Sequence, residues 1–384
     1  MMISGMRAGI VLAVLFAALA DAASLLAQAS PDPRAIAAVD TVFSEASAGG
    51  LVGGMTVGIV SGAELAWTKS YGYADMDAKI PATRHTVYRI GSITKQFTAV
   101  MLLQLVEQGK VTLADPVERY VPEIVEIPAR GAERPQPTLL QLAVHRSGLS
   151  REPSNRSFLI GASADWEKTL RAALPTVSYE RLPGERYGYS NVGYALLGLA
   201  LGQAAGEPYT AYVERAILKP LGLESTAFEP TPAMKEALAK GYLVGAGGRV
   251  DATLSVRELE FGRGYKMANG ALFSTVGDLA KFLAFEMGLG PAGVLRPETI
   301  RENFAQSTLI EGTSRVTAGA GFFTRPVGLR TVFGHNGVVA GYTADAFFEP
   351  NSKLGLIFLR NVSYASNANS NLVFRAMGAL LSTQ

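Results

Sequence analysis

The segment Arg89-Ile-Gly-Ser-Ile-Thr-Lys-Gln-Phe-Thr98 decides how this chain is read. It opens an apolar stretch, Ser92 to Glu107, that carries Ile93, Phe97, Val100, Met101 and Val106 with no internal Gly or Pro, and Gly109 follows as a stop signal. That pattern predicts a buried helix. Its first turn holds Ser92 and Lys95, and three-residue spacing puts them on one face, roughly 5 to 6 Å apart at Cβ. A hydroxyl and an amine can then touch. A serine is a weak nucleophile until a neighbour takes its proton. An ammonium of ordinary pKa about 10.4 is no base at neutral pH, but burial disfavours its charged form and releases the free amine.

Two further motifs occur once each downstream, Tyr189-Ser-Asn191 and His335-Asn-Gly337. Tyr189 offers a phenol able to relay a proton towards a leaving group, and Asn191 an amide able to hold Lys95 and a substrate backbone. The peptide N–H groups of Ser92 and Val338 are candidates for an oxyanion hole, with Gly337 allowing close backbone approach. Alone, each motif has an ordinary explanation. Ser-x-x-Lys arises by chance, Ser190 or Asn191 could cap a helix, and His335-Asn-Gly could be a turn. Their joint occurrence in this order favours catalysis, with Ser92, Lys95 and Tyr189 as catalytic candidates and Asn191, His335, Gly337 and Val338 as substrate-binding ones.

Two β-rich ends flank a helical middle. Met55–Val60 and Leu65–Tyr71 about a Ser61-Gly62 turn read as one hairpin, and Ala344–Glu349 and Leu354–Arg360 about residues 350–353 as another. Helices are expected over Leu139–Val144, Asn191–Ala205, Tyr209–Ile217 and Thr275–Met287. The uncharged run Val192–Ala205 is too short for a membrane span and reads as a core helix. The expected fold class is α+β: an antiparallel sheet from both chain ends flanked by helices, with a helical insertion lobe. The lobes would divide at about 34–90 with 305–384, and 91–304, with Ser92 at the seam.

Residues 1–29 resemble a signal peptide: Arg7, an apolar run from Ala8 to Ala20, then small residues that permit cleavage after Ala22 or Ala29. The run is shorter than the roughly 20 residues that cross a bilayer, so the expected product is periplasmic or secreted, residues 30–384, with no stable membrane span. Removing that segment takes away one cation, Arg7, and one anion, Asp21, so the net charge stays at +2. This balance points away from nucleic acid and towards a small-molecule or short-peptide substrate. With no cysteine there is no disulfide, thiolate nucleophile or Cys-type metal site.

Around these residues the chain resembles the penicillin-recognising serine hydrolases: class C β-lactamases, serine D-alanyl-D-alanine carboxypeptidases, D-aminopeptidases and family VIII esterases. The likeness spans roughly residues 35–380 and is carried by residues 89–98, His145-Arg-Ser-Gly-Leu149, residues 183–194, Pro220-Leu-Gly-Leu223, and Gly334–Gly337 with Gly341-Tyr342. It implies a β-lactamase/transpeptidase-like fold, an acyl-enzyme on Ser92, and no metal or cofactor. Class C lactamases usually carry Lys-Thr-Gly where His335-Asn-Gly337 stands, and Tyr-Ala-Asn where Tyr189-Ser-Asn191 stands. Asn269-Gly keeps one glycine where relatives often have two. The resemblance therefore implies ester or amide hydrolysis, with short acyl esters, D-amino-acid peptides and β-lactams as substrates. A true class C-like β-lactamase and a non-turnover penicillin-binding sensor are the alternatives.

His335 is expected to face the substrate as a weak cation, tilting selectivity towards neutral esters. His85 and His145 read as structural. Tyr187, Tyr194 and Tyr342 read first as packing, with Tyr342 the foremost candidate among them for recognition.

Overall fold

The computed structural model describes residues 31–49, 53–131, 135–245, 250–313, 315–364 and 370–382. The signal-peptide reading of residues 1–29 lies outside them.

Eight strands form the main sheet: β1 (Met55–Ser61), β2 (Glu64–Tyr71), β3 (Ser307–Leu309), β4 (Thr317–Gly319), β5 (Phe323–Val327), β6 (Arg330–Val339), β7 (Tyr342–Glu349) and β8 (Leu354–Arg360). They run β2-β1-β8-β7-β6-β5-β4-β3, each antiparallel to its neighbour. The sheet is α+β in construction. The two ends of the chain meet at β1 and β8, where Met55 pairs with Arg360 and Ser61 with Leu354.

Five helices fix the layers: α1 (Pro33–Ala48), α2 (Thr94–Glu107), α3 (Asn191–Ala205), α4 (Val276–Ala284) and α5 (Ser370–Leu381). Every residue of β1 and β8 is buried, because both faces of the sheet are covered. Met55, Val57 and Ile59 point with Leu356 and Phe358 into an outer core shared with Val39 and Phe43 of α1 and Met377 and Leu380 of α5. Val60, on the other face of β1 by alternation, joins the inner core. In the β1–β2 pairing Ile59 faces Trp67 and Val60 faces Leu65, so the extra residue, Ala66, is a bulge in β2. On the inner face Gly58 leaves room for α4, since a Cβ there would meet Val276 at 2.5 Å.

The sequence-based division into lobes places α4 in the helical insertion. In the structure α4 instead packs against β1, β2, β7 and β8. One continuous inner core also links the helical middle (Phe97, Met101, Leu196, Leu199) to the sheet (Ala344, Ala346, Ile357).

Helices α2 and α3 are buried nearly all round. Such helices are core elements, stabilised by packing on every side. Among the described residues no helix is long and apolar enough to cross a membrane. Helix α3 starts at the expected residue because Ser190 caps it, accepting from Gly193 N at 2.9 Å, and ends at Gly206 in the left-handed conformation (φ 73°).

Candidate active site

Ser92 lies in a single tight turn, Gly91–Ile93, that feeds α2. Gly91 takes φ 52°, a conformation that favours glycine. The turn sits against β6. A Cβ at Gly337 would overlap the Ile90 carbonyl oxygen and stand 3.0 Å from Ser92 N, while one at Gly91 would stand 3.0 Å from Val338 N. Glycine at both positions lets two backbones approach that side chains would hold apart. Val339 pairs with Tyr342 across the two-residue loop Ala340-Gly341. In an antiparallel hairpin the pair closing such a loop is hydrogen-bonded, so the next pair, Val338 with Thr343, turns its N–H outward. The Val338 N–H therefore points away from β7, on the side where Ser92 stands. His335-Asn-Gly337 is strand, not the turn that its composition allows.

The remaining groups arrive from three separate segments. Lys95, fully buried on α2, has its Nζ 3.1 Å from Ser92 Oγ, 2.8 Å from Asn191 Oδ1 and 2.8 Å from the Asn269 carbonyl oxygen. The Tyr189 hydroxyl donates to Ser92 Oγ at 3.0 Å. Asn191 turns its Nδ2 to Glu152 Oε1 at 2.7 Å, and the Tyr265 hydroxyl donates to the other oxygen of that carboxylate. Asn269 in turn donates through Nδ2 to the Asn191 carbonyl at 2.8 Å.

The hydrogen-bond partners orient the Asn191 amide and the Lys95 amine. Glu152 is acceptor-only when ionised, so it requires the Asn191 NH₂, and the Asn191 oxygen must face Lys95. Burial holds the Lys95 pKa well below its ordinary value; the Glu152 charge opposes this, while Arg151, Arg263 and Lys266 reinforce it. A neutral amine has two N–H donors and one lone pair. Asn191 Oδ1 and Asn269 O can only accept and take both hydrogens, so the lone pair is left facing the Ser92 hydroxyl.

Tyr189 is a phenol in this environment, its pKa pushed up to about 12 chiefly by burial. It stacks on His145 with ring centroids 4.2 Å apart. His145 accepts at Nδ1 from Ser190 N at 3.1 Å, and its carbonyl receives Gly188 N at 2.8 Å. The structural role expected of His145 thus extends to placing Tyr189. The neighbouring Pro183-Gly-Glu turn is tied to the same loop, Gly184 N donating to Arg146 O at 2.8 Å.

His335 corrects an expectation. It is 2% exposed, packs at 4.7 Å from the Phe323 ring, and donates through Nδ1 to its neighbour's carbonyl, Asn336 O, at 2.5 Å. Burial pushes its pKa down to about 3, with Lys95 adding to the effect. This imidazole is a neutral wall at working pH and supplies no cation. Tyr342 is a packing residue: it is fully buried, with its hydroxyl on Ala239 O at 2.6 Å. Tyr194 is likewise buried, donating to Ala143 O at 2.6 Å. Asn191 commits its Oδ1 to Lys95 and one Nδ2 hydrogen to Glu152, which leaves the second Nδ2 hydrogen as a donor at the cavity it lines.

Ser92, Asn191 and Val338 line a cavity of about 300 Å³ together with Glu152, Arg263 and Lys266. A larger open groove of about 1170 Å³, bordered by Trp166, Arg171 and Phe228, contains none of the motif residues and is not where this chemistry lies. Sequence reasoning missed Glu152, Tyr265 and Lys266, and saw Asn269 only as the neighbour of an unusual glycine. None of the four carries a local spacing that links it to Ser92. Among the described residues no three His, Cys, Asp or Glu side chains cluster as a metal site.

A serine hydroxyl touched by a buried amine and a phenol, its turn packed against a strand of this sheet, is the arrangement of a serine hydrolase. The profile of the Beta-lactamase family matches residues 39–376, and the chain belongs to that family. It is 30% identical over 363 residues to Putative beta-lactamase-like 1 of Homo sapiens, covering 91% of this chain and 68% of that one. It is 26% identical to Protein flp of Staphylococcus aureus, covering 85% of this chain but only 63% of that relative's length. Among solved structures, an octameric penicillin-binding protein homologue from Pyrococcus abyssi superposes with TM-score 0.76 at 28% identity, covering 90% of this chain and 77% of that one. The fold is also shared with D-amino acid amidase from Ochrobactrum anthropi (TM-score 0.75, 24% identity, 91% and 99% covered) and with a class C β-lactamase (0.72, 19%, 89% and 95%).

Proposed function

We propose that this protein is an exported hydrolase that cleaves ester or amide bonds of small acyl compounds and D-amino-acid peptides through an acyl-enzyme on Ser92. The observation that carries the reading is the Lys95 amine, held 3.1 Å from Ser92 Oγ with both its hydrogens engaged elsewhere. Lys95 takes the Ser92 proton as Oγ bonds to the substrate carbonyl carbon. The N–H groups of Ser92 and Val338 receive the oxyanion. As the tetrahedral intermediate collapses, Tyr189 gives its proton to the leaving oxygen or nitrogen, and the Lys95 ammonium restores it. The net transfer is one proton from Ser92 to the leaving group. Water then repeats the sequence on the acyl-enzyme, with Lys95 or Tyr189 taking its proton and Ser92 leaving.

Support for export comes from Arg7, the apolar run Ala8–Ala20 and the small residues after it. Amide substrates with D-configured residues are suggested by the likeness to D-amino acid amidase, and β-lactams by that to a class C β-lactamase. The test is a panel of p-nitrophenyl esters, nitrocefin and a D-Ala-D-Ala peptide, read with intact mass after penicillin exposure. Turnover of an ester or peptide that vanishes in Ser92→Ala supports the reading. Dominant nitrocefin turnover would make the protein a β-lactamase, and a single stable penicilloyl adduct without turnover would make it a sensor.

A further inference from the structure

The cavity beside Ser92 has a charged side for which acyl transfer has no use. Glu258 and Arg263 border it, and Glu258 is held between Arg89 at 2.9 Å and Arg263 at 3.2 Å, one carboxylate for two guanidiniums. Glu152 has its two oxygens occupied by neutral donors, Asn191 and Tyr265. Lys266, on the same wall, has no carboxylate in ion-pair contact and no hydrogen bond from Nζ among the described residues. Its pKa is pushed down to about 8, by burial first and then by Arg263, with Arg89 adding; Glu152 and Glu258 only partly offset this. Arg151, Arg263 and Lys266 line this partly desolvated space with Glu152 and Glu258, three cations to two anions, and Arg89 stands buried behind Glu258. Such a surplus is relieved by an anion that enters it.

We infer that Lys266 receives a carboxylate carried by the substrate, so that the enzyme favours acids over neutral compounds of the same shape. The inference rests on the Ser92 acyl-enzyme reading. It assigns to the segment after helix Thr253–Phe261 a task that buried, neutral His335 on β6 cannot perform. It also reverses the selectivity for neutral esters expected from the sequence.

The test compares mono-p-nitrophenyl succinate with p-nitrophenyl methyl succinate, which differ in charge but hardly in shape. Because Lys266 also lies near Lys95, the readout is the ratio of kcat/KM values for the two esters within each protein. Effects on the base then cancel. Lys266→Met should lower the acid-to-ester ratio about 10-fold or more, the scale of a charge-assisted hydrogen bond. Lys266→Arg should recover most of the ratio, and Arg151→Gln should leave it within about 3-fold, the scale of an exposed charge. An unchanged ratio in Lys266→Met, a Lys266→Arg protein as poor as Lys266→Met, or a loss that follows Arg151 instead would each overturn the inference. If wild-type protein hydrolyses neither ester nor any member of the substrate panel, the acyl-enzyme reading itself fails and the subsite falls with it. Melting temperatures of both Lys266 variants identify a folding defect, and the more conservative Lys266→Arg protein then decides.

Discussion

Gly337→Ala tests the close approach on which the oxyanion hole depends. The added Cβ would stand 2.9 Å from the Ile90 carbonyl carbon and overlap its oxygen. Carbon atoms rest no closer than about 3.5 Å, so β6 and the Ser92 turn must part by roughly 0.6 Å for the carbon alone and by more for the oxygen. Ser92 N, 3.0 Å from the same Cβ, moves with the turn, whereas Val338 N moves with the strand. Two donors that must converge on one oxygen are thereby separated. Losing one such donor costs about 10² to 10³ in kcat, roughly 2.7 to 4 kcal/mol, and a misplacement near 1 Å costs about 10². The expected result is a 10²- to 10³-fold fall in kcat for p-nitrophenyl acetate, with the overpacking lowering stability by about 1 to 3 kcal/mol. Steady-state kinetics and urea unfolding are measured together. Asn336→Ala, at an exposed side chain of the same strand, is the comparison and should stay within about 3-fold, as surface positions commonly do. A folded Gly337→Ala protein with wild-type kcat would refute the argument, because no oxyanion donor could then depend on that contact.

Ser92→Ala should abolish turnover and covalent labelling, and Lys95→Ala should nearly do so; intact mass after exposure to penicillin checks both, and labelling elsewhere would reassign the nucleophile. Tyr189→Phe should lower kcat by about 10² to 10⁴ while stability, measured by thermal melting, changes little. The free amine of Lys95 is the active form, so kcat/KM rises with pH through the Lys95 pKa. Glu152 is the charge that holds that pKa up, so Glu152→Gln should move the acid limb to lower pH, and a shift to higher pH in the pH–rate profile would contradict this. Glu258→Leu strands the buried Arg89 and should cost about 3 kcal/mol in urea unfolding at pH 7. The Glu258 pKa lies below its ordinary value, so its contribution is present above about 4.5 and the deficit should shrink as pH falls through the folded-state value.

Much of this architecture was legible locally. The three-residue spacing of Ser92 and Lys95, the length of Asn191–Ala205 and the two hairpins depend on the periods of helix and strand, which neighbouring residues impose on one another. The start of α3 followed from one capping serine. What the sequence could not supply was the state of each group. Lys95 is a base because packing buries it, its hydrogens taken by a side chain 96 positions away and a backbone carbonyl 174 positions away, and a carboxylate 39 positions from Asn191 decides which way that amide faces. His335, with an ordinary pKa that suggested a partial cation, is neutral because β5 and the Tyr189 segment close over it. Lys266 and Glu152 have no motif, since the cavity they share is made by distant segments packing together. Local spacing determined which groups could react. Burial and hydrogen-bond partners, which exist only once the chain is packed, decided their charge.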